Sequence, residues 1–144
     1  MEIVINNCFG GFGLSNLALK KYVESKGMEA YFYEKVSFNE KYIKVPYDKN
    51  GIITYCVSED LGDTINHKEF MAWIEKNKDK YFSASDIDRT DKDLIKIIKE
   101  LGSKKASGRY ACLKIIKVPN DVNWEIDDYD GIETVQEKHR SWSQ

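Results

Sequence analysis

The first fifteen residues constrain the fold most, because an apolar strand runs directly into a glycine-rich loop and then into a helix. Residues 2–6 predict a buried strand, and Gly10, Gly11 and Gly13 follow it closely. Glycine permits positive φ angles and lets a ligand approach backbone N–H groups that a Cβ would shield. Ser15 can cap the following helix, whose N-terminus attracts phosphate. The strand, loop and helix together predict an anion site.

Aromatic and polar side chains interleave with these glycines. An exposed ring at Phe9 or Phe12 could stack on a nucleobase, and Asn7 is a further candidate ligand. Both rings equally suit a hydrophobic core, and tight strand-to-helix turns also occur where nothing binds. The spacing matches neither a Walker loop nor the dinucleotide-binding pattern. A nucleotide-type pocket and a purely structural turn therefore both remain open.

Composition limits the class of protein. A chain of 144 residues with 42% hydrophobic content is of single-domain size. With 22 basic and 24 acidic side chains its formal charge is −2, so no global field favours nucleic acid or an anionic membrane. There is neither a membrane-spanning apolar run nor the pattern of a signal peptide. We expect a soluble, cytoplasmic protein with no nucleic-acid or membrane partner.

The cysteines and histidines are few and scattered. Cys8, Cys56 and Cys112 are odd in number and far apart, and the only histidines are His67 and His139. The sequence therefore predicts neither a disulfide framework nor structural zinc, and no cofactor. Cys8 is either a small buried residue, which we expect, or a reactive thiol in the loop.

Periodicity and capping signals predict the elements in the first two thirds of the chain. Helices are expected between Ser15 and Gly27, from Asn66 with a capping box at Glu69, and from Thr90 to Gly102. Strands are expected over residues 30–33, 42–45 and 52–57, the last two as a hairpin through the turn at 49–51.

The last third predicts mainly strands. A flexible-looking segment, 103–108, leads to a central strand at 110–118 and an extended segment from Trp124. Asp130-Gly131 predicts a turn, and residues 132–140 fit either a returning strand, which we favour, or a short helix. Taken together, these helices and strands predict an α+β fold. We expect a single domain, residues 1–144, with a mixed, mostly antiparallel sheet and about three helices packed against it.

Cationic side chains outside the loop add candidate anion ligands. His139, Arg140 and Trp142 combine a proton carrier, a planar cation and an aromatic ring, which suits phosphate pairing and base stacking. The same segment could be a solvated tail, but we expect it to dock on its own fold or on a neighbouring subunit. Arg89 and Arg109 are further candidates.

Two acidic clusters invite a metal or an acid–base role. Residues 86–91 lack the glycine and closing glutamate of a calcium loop, so a negatively charged helix N-terminus explains them better. Turn chemistry explains most of residues 127–133. With no recognisable nucleophile and base, or set of metal ligands, the sequence favours binding without turnover and no metal.

Both ends of the chain carry distinctive motifs. These are NNCFGGFGLS at 6–15, WEI at 124–126, YDGIE at 129–133 and EKHRSW at 137–142. In these motifs the chain resembles a family of small accessory proteins encoded by bacteriophages and prophages. The resemblance implies a phage protein made in the bacterial cytoplasm.

The phage context and the glycine loop together suggest that the protein sequesters a nucleotide-derived immune signal without cleaving it. Such a signal would be a cyclic nucleotide or an ADP-ribose derivative, and a protein that acts in this way is called a sponge. Loop N–H groups would hold phosphate, Phe9, Phe12 or Trp142 would stack on the base, and Arg109, His139 or Arg140 would supply positive charge. We expect a homo-oligomer that closes the pocket.

Two alternatives remain open. One is a small enzyme that degrades or modifies such a nucleotide, with His139 or a carboxylate from Asp127, Asp128 or Asp130 as the acid or base, with or without a divalent metal. The other is an inhibitor of a host enzyme that binds through an apolar patch, for which Trp73, Trp124 and the tyrosine-rich strands are candidate anchors.

Overall fold

The fold is known from a computed structural model that describes residues 1–36, 40–49 and 53–138. Within these residues four helices and nine strands confirm the α+β class. The helices are α1 (Asn16–Ser25), α2 (His67–Lys76), α3 (Lys92–Leu101) and α4 (Ser103–Ala106). The strands are β1 (Glu2–Asn6), β2 (Tyr31–Val36), β3 (Lys41–Val45), β4 (Thr54–Val57), β5 (Thr64–Asn66), β6 (Tyr81–Phe82), β7 (Leu113–Lys117), β8 (Trp124–Tyr129) and β9 (Ile132–Glu137).

The chain divides into two compact units. The split unit comprises Met1–Ser15 and Ile87–Gln144, and the inserted unit, Asn16–Asp86, lies between those two segments in sequence. Single-domain organisation stays a prediction.

The core of the split unit forms where β1 meets β7 and α3. β1 pairs antiparallel with β7, from Glu2 opposite Lys117 to Asn6 opposite Leu113. α3 buries its apolar face beside β1, while its lysines stay exposed. The side chain of Asp91 begins α3 by accepting from the N–H groups of Asp93 and Leu94, at 2.8 and 3.2 Å.

A β-hairpin completes the split unit. β8 and β9 pair antiparallel, from Trp124 opposite Glu137 to Tyr129 opposite Ile132. Asp130 and Gly131 form the turn with φ angles of 50° and 89°, as in a type I′ hairpin turn, and Asp128 Oδ1 accepts from the Gly131 N–H at 2.8 Å. This confirms both the turn and the favoured strand after it. β9 lies beside β1, which places the hairpin turn near the glycine loop.

The inserted unit is built on a five-stranded sheet in the order β5-β3-β2-β4-β6. Its core consists of Tyr33, Tyr42, Val57 and Phe70, and the rings of Tyr42 and Phe70 stack with centroids 4.4 Å apart. Phe70 comes from α2, which begins at Asn66, whose side chain accepts from the Glu69 N–H at 2.8 Å, as predicted.

The structure corrects four predictions in detail. β3 and β4 do not form a hairpin, because each pairs with β2 on opposite sides. Residues 103–106 form α4 rather than a flexible segment. The strand predicted at 110–118 is limited to Leu113–Lys117 and pairs with β1 in a two-stranded sheet, so it is not central. Among the described residues the strands form three antiparallel sheets rather than one mixed sheet, since neighbours are set by long-range pairing that periodicity does not encode.

Candidate functional site

The glycine loop is packed against two other segments of the split unit. Gly10 and Gly11 have φ angles of 120° and 94°. A Cβ on Gly10 would collide with the Tyr110 carbonyl oxygen, and a Cβ on Gly131 would collide with the Gly11 nitrogen and lie 2.8 Å from the Gly10 nitrogen. Glycine is needed at these positions because backbone meets backbone there.

Asn6 is the polar centre beneath this loop. Its side chain is fully buried at the end of β1. Its Nδ2 donates to the carbonyl oxygens of Cys8 and Gly131 at 2.7 and 2.6 Å, and its Oδ1 accepts from the Cys112 N–H at 2.8 Å. The Asn6 side-chain amide therefore joins the loop, the hairpin turn and the segment before β7. Its buried nitrogen and oxygen atoms both have hydrogen-bond partners.

Arg89 and Glu133 form an ion pair beside Asn6. The two guanidinium nitrogens donate to the two carboxylate oxygens at 2.6 and 2.9 Å, and the Asn6 N–H donates to Glu133 Oε1 at 2.8 Å. Burial raises the pKa of Glu133, but the hydrogen bonds from Arg89 and Asn6 outweigh it and leave that pKa below its ordinary value of 4.5. The Arg89 guanidinium also lies 3.5 Å above the Phe12 ring. Arg89 and Phe12 therefore hold the loop in place.

Two thiols meet at the same loop. Cys8 Sγ lies 3.6 Å from Asn6 Oδ1 and 3.6 Å from the Tyr110 carbonyl oxygen. A hydrogen bond with the Cys112 thiol, together with desolvation, raises the pKa of Cys8. Cys8 is half-buried and Cys112 exposed, so the expectation that Cys8 is a buried packing residue is wrong.

Large aromatic rings are exposed around the loop. Phe9, Tyr110 and Tyr129 expose 66%, 67% and 73% of their surface. Phe9 precedes Gly10, which packs on Tyr110, and Tyr129 precedes the hairpin turn that packs on Gly11. The Arg109 guanidinium lies 5.4 Å from the centroid of the Tyr110 ring.

A cationic cavity of about 580 Å³ lies next to the Arg109–Tyr110 pair. It is lined by Ser103, Lys104, Ser107, Gly108, Arg109, Ala111 and Cys112. Ser103 Oγ donates to the Leu113 carbonyl at 2.6 Å and Ser107 Oγ donates to the Ser103 carbonyl at 2.6 Å, so both hydroxyls brace the cavity wall. None of these lining residues is acidic, which leaves the two cations to set its charge.

The cavity adjoins the C-terminal half of the loop. The Gly108 N–H donates to the Gly13 carbonyl at 2.9 Å, and Ser15 donates from its N–H to the Ala106 carbonyl and from its hydroxyl to the Lys105 carbonyl. The segment from α4 to Arg109 is thereby fixed beside the loop.

A larger cavity of about 680 Å³ lies along α3 and β1. Its lining residues are Met1, Glu2, Thr90, Lys92, Ile95, Lys96, Lys99 and Glu100. Lys99 forms an ion pair with Glu2 at 2.8 Å, so part of the positive charge of this cavity is already neutralised. The smaller cavity therefore suits an anion better.

The structure brings together most of the predicted ligands, though not in the predicted roles. Asn7 uses its N–H to donate to the Cys112 carbonyl at 2.8 Å, and the Gly10 and Gly11 nitrogens face Gly131. Phe9 and Arg109 are exposed beside the loop. His139, Arg140 and Trp142 lie outside the described residues. Lys104, Tyr110 and Cys112 were missed because nothing in their local sequence marks a site.

The acidic clusters have structural roles. Asp88 accepts from the N–H and the hydroxyl of Thr90, at 2.8 and 2.6 Å, ahead of the cap at Asp91. Asp128 supports the hairpin turn. Within the described residues no group of three or more potential ligands is placed to hold a metal ion, and no helix has the length and apolar character needed to cross a membrane.

No family model, curated protein sequence or solved structure matches this chain.

Proposed function

We propose that the protein binds a nucleotide-derived anion in the cationic cavity beside the glycine loop and sequesters it without cleavage. The observation that carries this proposal is the placement of Lys104 and Arg109 in a cavity whose described lining residues include no carboxylate. The exposed ring of Tyr110 lies beside Arg109, and the exposed Phe9 belongs to the adjoining glycine loop. The phage anti-defence role rests on the resemblance to phage accessory proteins and on the analogy with small phage proteins that sequester nucleotide signals. It would be served by withholding an immune signal from its effector.

Each part of such a ligand has a partner of suitable chemistry. The guanidinium of Arg109 can donate two parallel hydrogen bonds to a phosphate, and Lys104 adds a second positive charge. The exposed rings offer flat surfaces on which any nucleobase can stack. Because the Asn7 N–H is already hydrogen-bonded to Cys112 and the Gly10 and Gly11 nitrogens lie against Gly131, we place the phosphate at the cations rather than on the loop.

The lining chemistry favours holding a ligand over transforming it. The described lining residues contribute no carboxylate or imidazole that could exchange a proton with a bound phosphoester. The two serine hydroxyls already donate to backbone carbonyls. Sequestration needs only affinity, and closure of the site by a second subunit stays part of the proposal.

The test is thermal melting of the purified protein with cyclic mononucleotides, cyclic dinucleotides and ADP-ribose isomers, followed by chromatography of each mixture. A ligand at about 100 times its Kd stabilises by about 2.7 kcal/mol, and we expect it to be recovered unchanged. Arg109→Ala should weaken binding by about tenfold or more, equivalent to about 1.4 kcal/mol.

The matched control is Lys92→Ala, which removes an exposed cation from the larger cavity. It should leave binding unchanged. A new product in the chromatogram would instead identify an enzyme, and equal loss of affinity in both variants would place the ligand elsewhere. The absence of any shift across the panel would refute nucleotide binding.

The three exposed rings also favour a second candidate function, inhibition of a host protein through an aromatic patch. Phe9, Tyr110 and Tyr129 are better exposed anchors than Trp73, whose Nε1 donates to Glu59 at 2.9 Å. In that case no nucleotide would alter melting. A bacterial protein would then co-purify with the wild type and be lost with Tyr129→Ser, a variant that leaves the cationic cavity intact.

A further inference from the structure

Cys8 and Cys112 are neighbours in the split unit despite their distance in sequence. The N–H of Asn7, the residue before Cys8, donates to the Cys112 carbonyl at 2.8 Å. Asn6 Oδ1 lies 2.8 Å from the Cys112 nitrogen and 3.6 Å from Cys8 Sγ, so both cysteines converge on one atom. An interaction with Cys112 also raises the pKa of the Cys8 thiol.

The two thiols differ in their exposure to solvent. Cys112 is exposed and lines the cationic cavity, whereas Cys8 is half-buried under the loop. The interaction with Cys112 raises the pKa of Cys8, so Cys8 keeps its proton to higher pH than an ordinary cysteine does. The third cysteine, Cys56, belongs to the inserted unit, where burial raises its pKa to about 12. An exposed attacking thiol and an adjacent resolving thiol are the parts of a redox-active pair.

We propose that Cys8 and Cys112 form a reversible disulfide by exchange with a small-molecule disulfide such as glutathione disulfide. Because the two cysteines lie on hydrogen-bonded neighbouring segments and both contact Asn6 Oδ1, closing the bond requires no large backbone movement. The bond would fasten the glycine loop to the segment that forms the cavity wall. This modification site rests on the cysteine pair alone and does not depend on the proposed ligand.

The exchange balances in two steps. The Cys112 thiolate attacks one sulfur of glutathione disulfide, forming a mixed disulfide and expelling one glutathione thiolate. Cys8 then loses its proton and attacks the Cys112 sulfur, forming the protein disulfide and expelling the second glutathione thiolate. The protein loses two electrons and two protons, and one glutathione disulfide is reduced to two glutathione molecules.

The test equilibrates the intact protein in glutathione buffers of increasing oxidised fraction, quenches with acid and then alkylates the free thiols under denaturing conditions. Mass spectrometry counts the alkylated thiols, and peptide mapping without reductant locates any cross-link. We expect oxidation to lower the count from three thiols to one, Cys56, and to yield a linked Cys8–Cys112 peptide. Dithiothreitol should restore all three.

Three variants separate the proposal from general cysteine oxidation. Cys56→Ala should still lose two thiols, because the pair is intact. Cys8→Ser should accumulate glutathione on Cys112, whereas Cys112→Ser should leave Cys8 largely free. Three free thiols in the wild type under every buffer, or glutathione adducts without a cross-linked peptide, would overturn the proposal.

Discussion

At the scale of single residues, the Arg89–Glu133 pair shows how a charged group is kept inside the split unit. The side chains retain only 19% and 6% of their exposed surface. Removing water from both charges is costly, and the cost is offset here by a bidentate geometry, a third hydrogen bond from Asn6 and the stacked Phe12 ring. Loss of either partner leaves an uncompensated buried charge.

We therefore expect Arg89→Ala to lower the free energy of unfolding at neutral pH by about 3 kcal/mol. The loss should depend on pH. The folded-state pKa of Glu133 lies below 4.5, so the pair contributes its full stability above that value and loses it as pH falls through the folded-state pKa. Urea unfolding of wild type and variant, repeated from neutral to acid pH, should show the difference shrinking below pH 4.5.

The control for this substitution is Lys99→Ala in the same unit. Lys99 also pairs with a glutamate, Glu2, at 2.8 Å, but its side chain is 53% exposed. Water screens such a pair, so we expect a much smaller loss of stability than for Arg89→Ala. Equal losses in the two variants would mean that the buried pair stabilises the fold no more than an exposed pair does.

At the scale of elements, the contact between the β8–β9 turn and the glycine loop fixes the loop conformation. Gly131 lies against the Gly10 and Gly11 nitrogens, and Asn6 Nδ2 donates to its carbonyl oxygen. The turn thus closes over the loop without a side chain between them. Of the glycines that resemble a phosphate cradle in the sequence, Gly10 serves close packing against Tyr110, and the Gly10 and Gly11 nitrogens lie against Gly131.

Gly131→Ala tests this contact. The new Cβ meets a positive φ, which costs about 1–2 kcal/mol, and also the loop backbone, which adds about 1–3 kcal/mol. Gly27→Ala, just after α1, is the matched control, because Gly27 has a φ of 81° but nothing within 4 Å of its Cβ position. Denaturant unfolding should show the larger loss for Gly131→Ala. If the two losses are equal, backbone strain alone explains the glycine.

Local signals predicted elements well and their partners poorly. The caps of α2 and α3 and the Asp130-Gly131 turn could be predicted because each depends on residues a few positions apart. The placement of β4 beside β2, and the convergence of Asn6, Arg89 and Glu133, depend on distant segments. The one sequence signal for that network is a polar residue at the end of an apolar strand, as Asn6 is at the end of β1, because a buried polar side chain needs hydrogen-bond partners.

At the scale of the whole molecule, the sequence leaves the split unit after Ser15 and returns to it at Ile87. Much of the split unit therefore depends on contacts between the two ends of the chain, including β1 with β7 and the loop with the hairpin turn. Such long-range closure costs chain entropy on folding. A covalent bond between the two segments would remove part of that cost.

The proposed Cys8–Cys112 disulfide supplies such a bond, and its effect can be measured as a change in melting temperature. It encloses roughly 100 residues, for which the lost entropy of the unfolded chain corresponds to about 4.7 kcal/mol of stabilisation, less any strain in the folded state. The oxidised wild type and Cys56→Ala should both melt at higher temperature than their reduced forms. Cys8→Ser should melt at one temperature with or without oxidant. Because a backbone hydrogen bond already joins Asn7 to Cys112 in the reduced protein, little strain should offset the gain. An oxidised form that is cross-linked yet no more stable would show that the bond distorts the loop it joins.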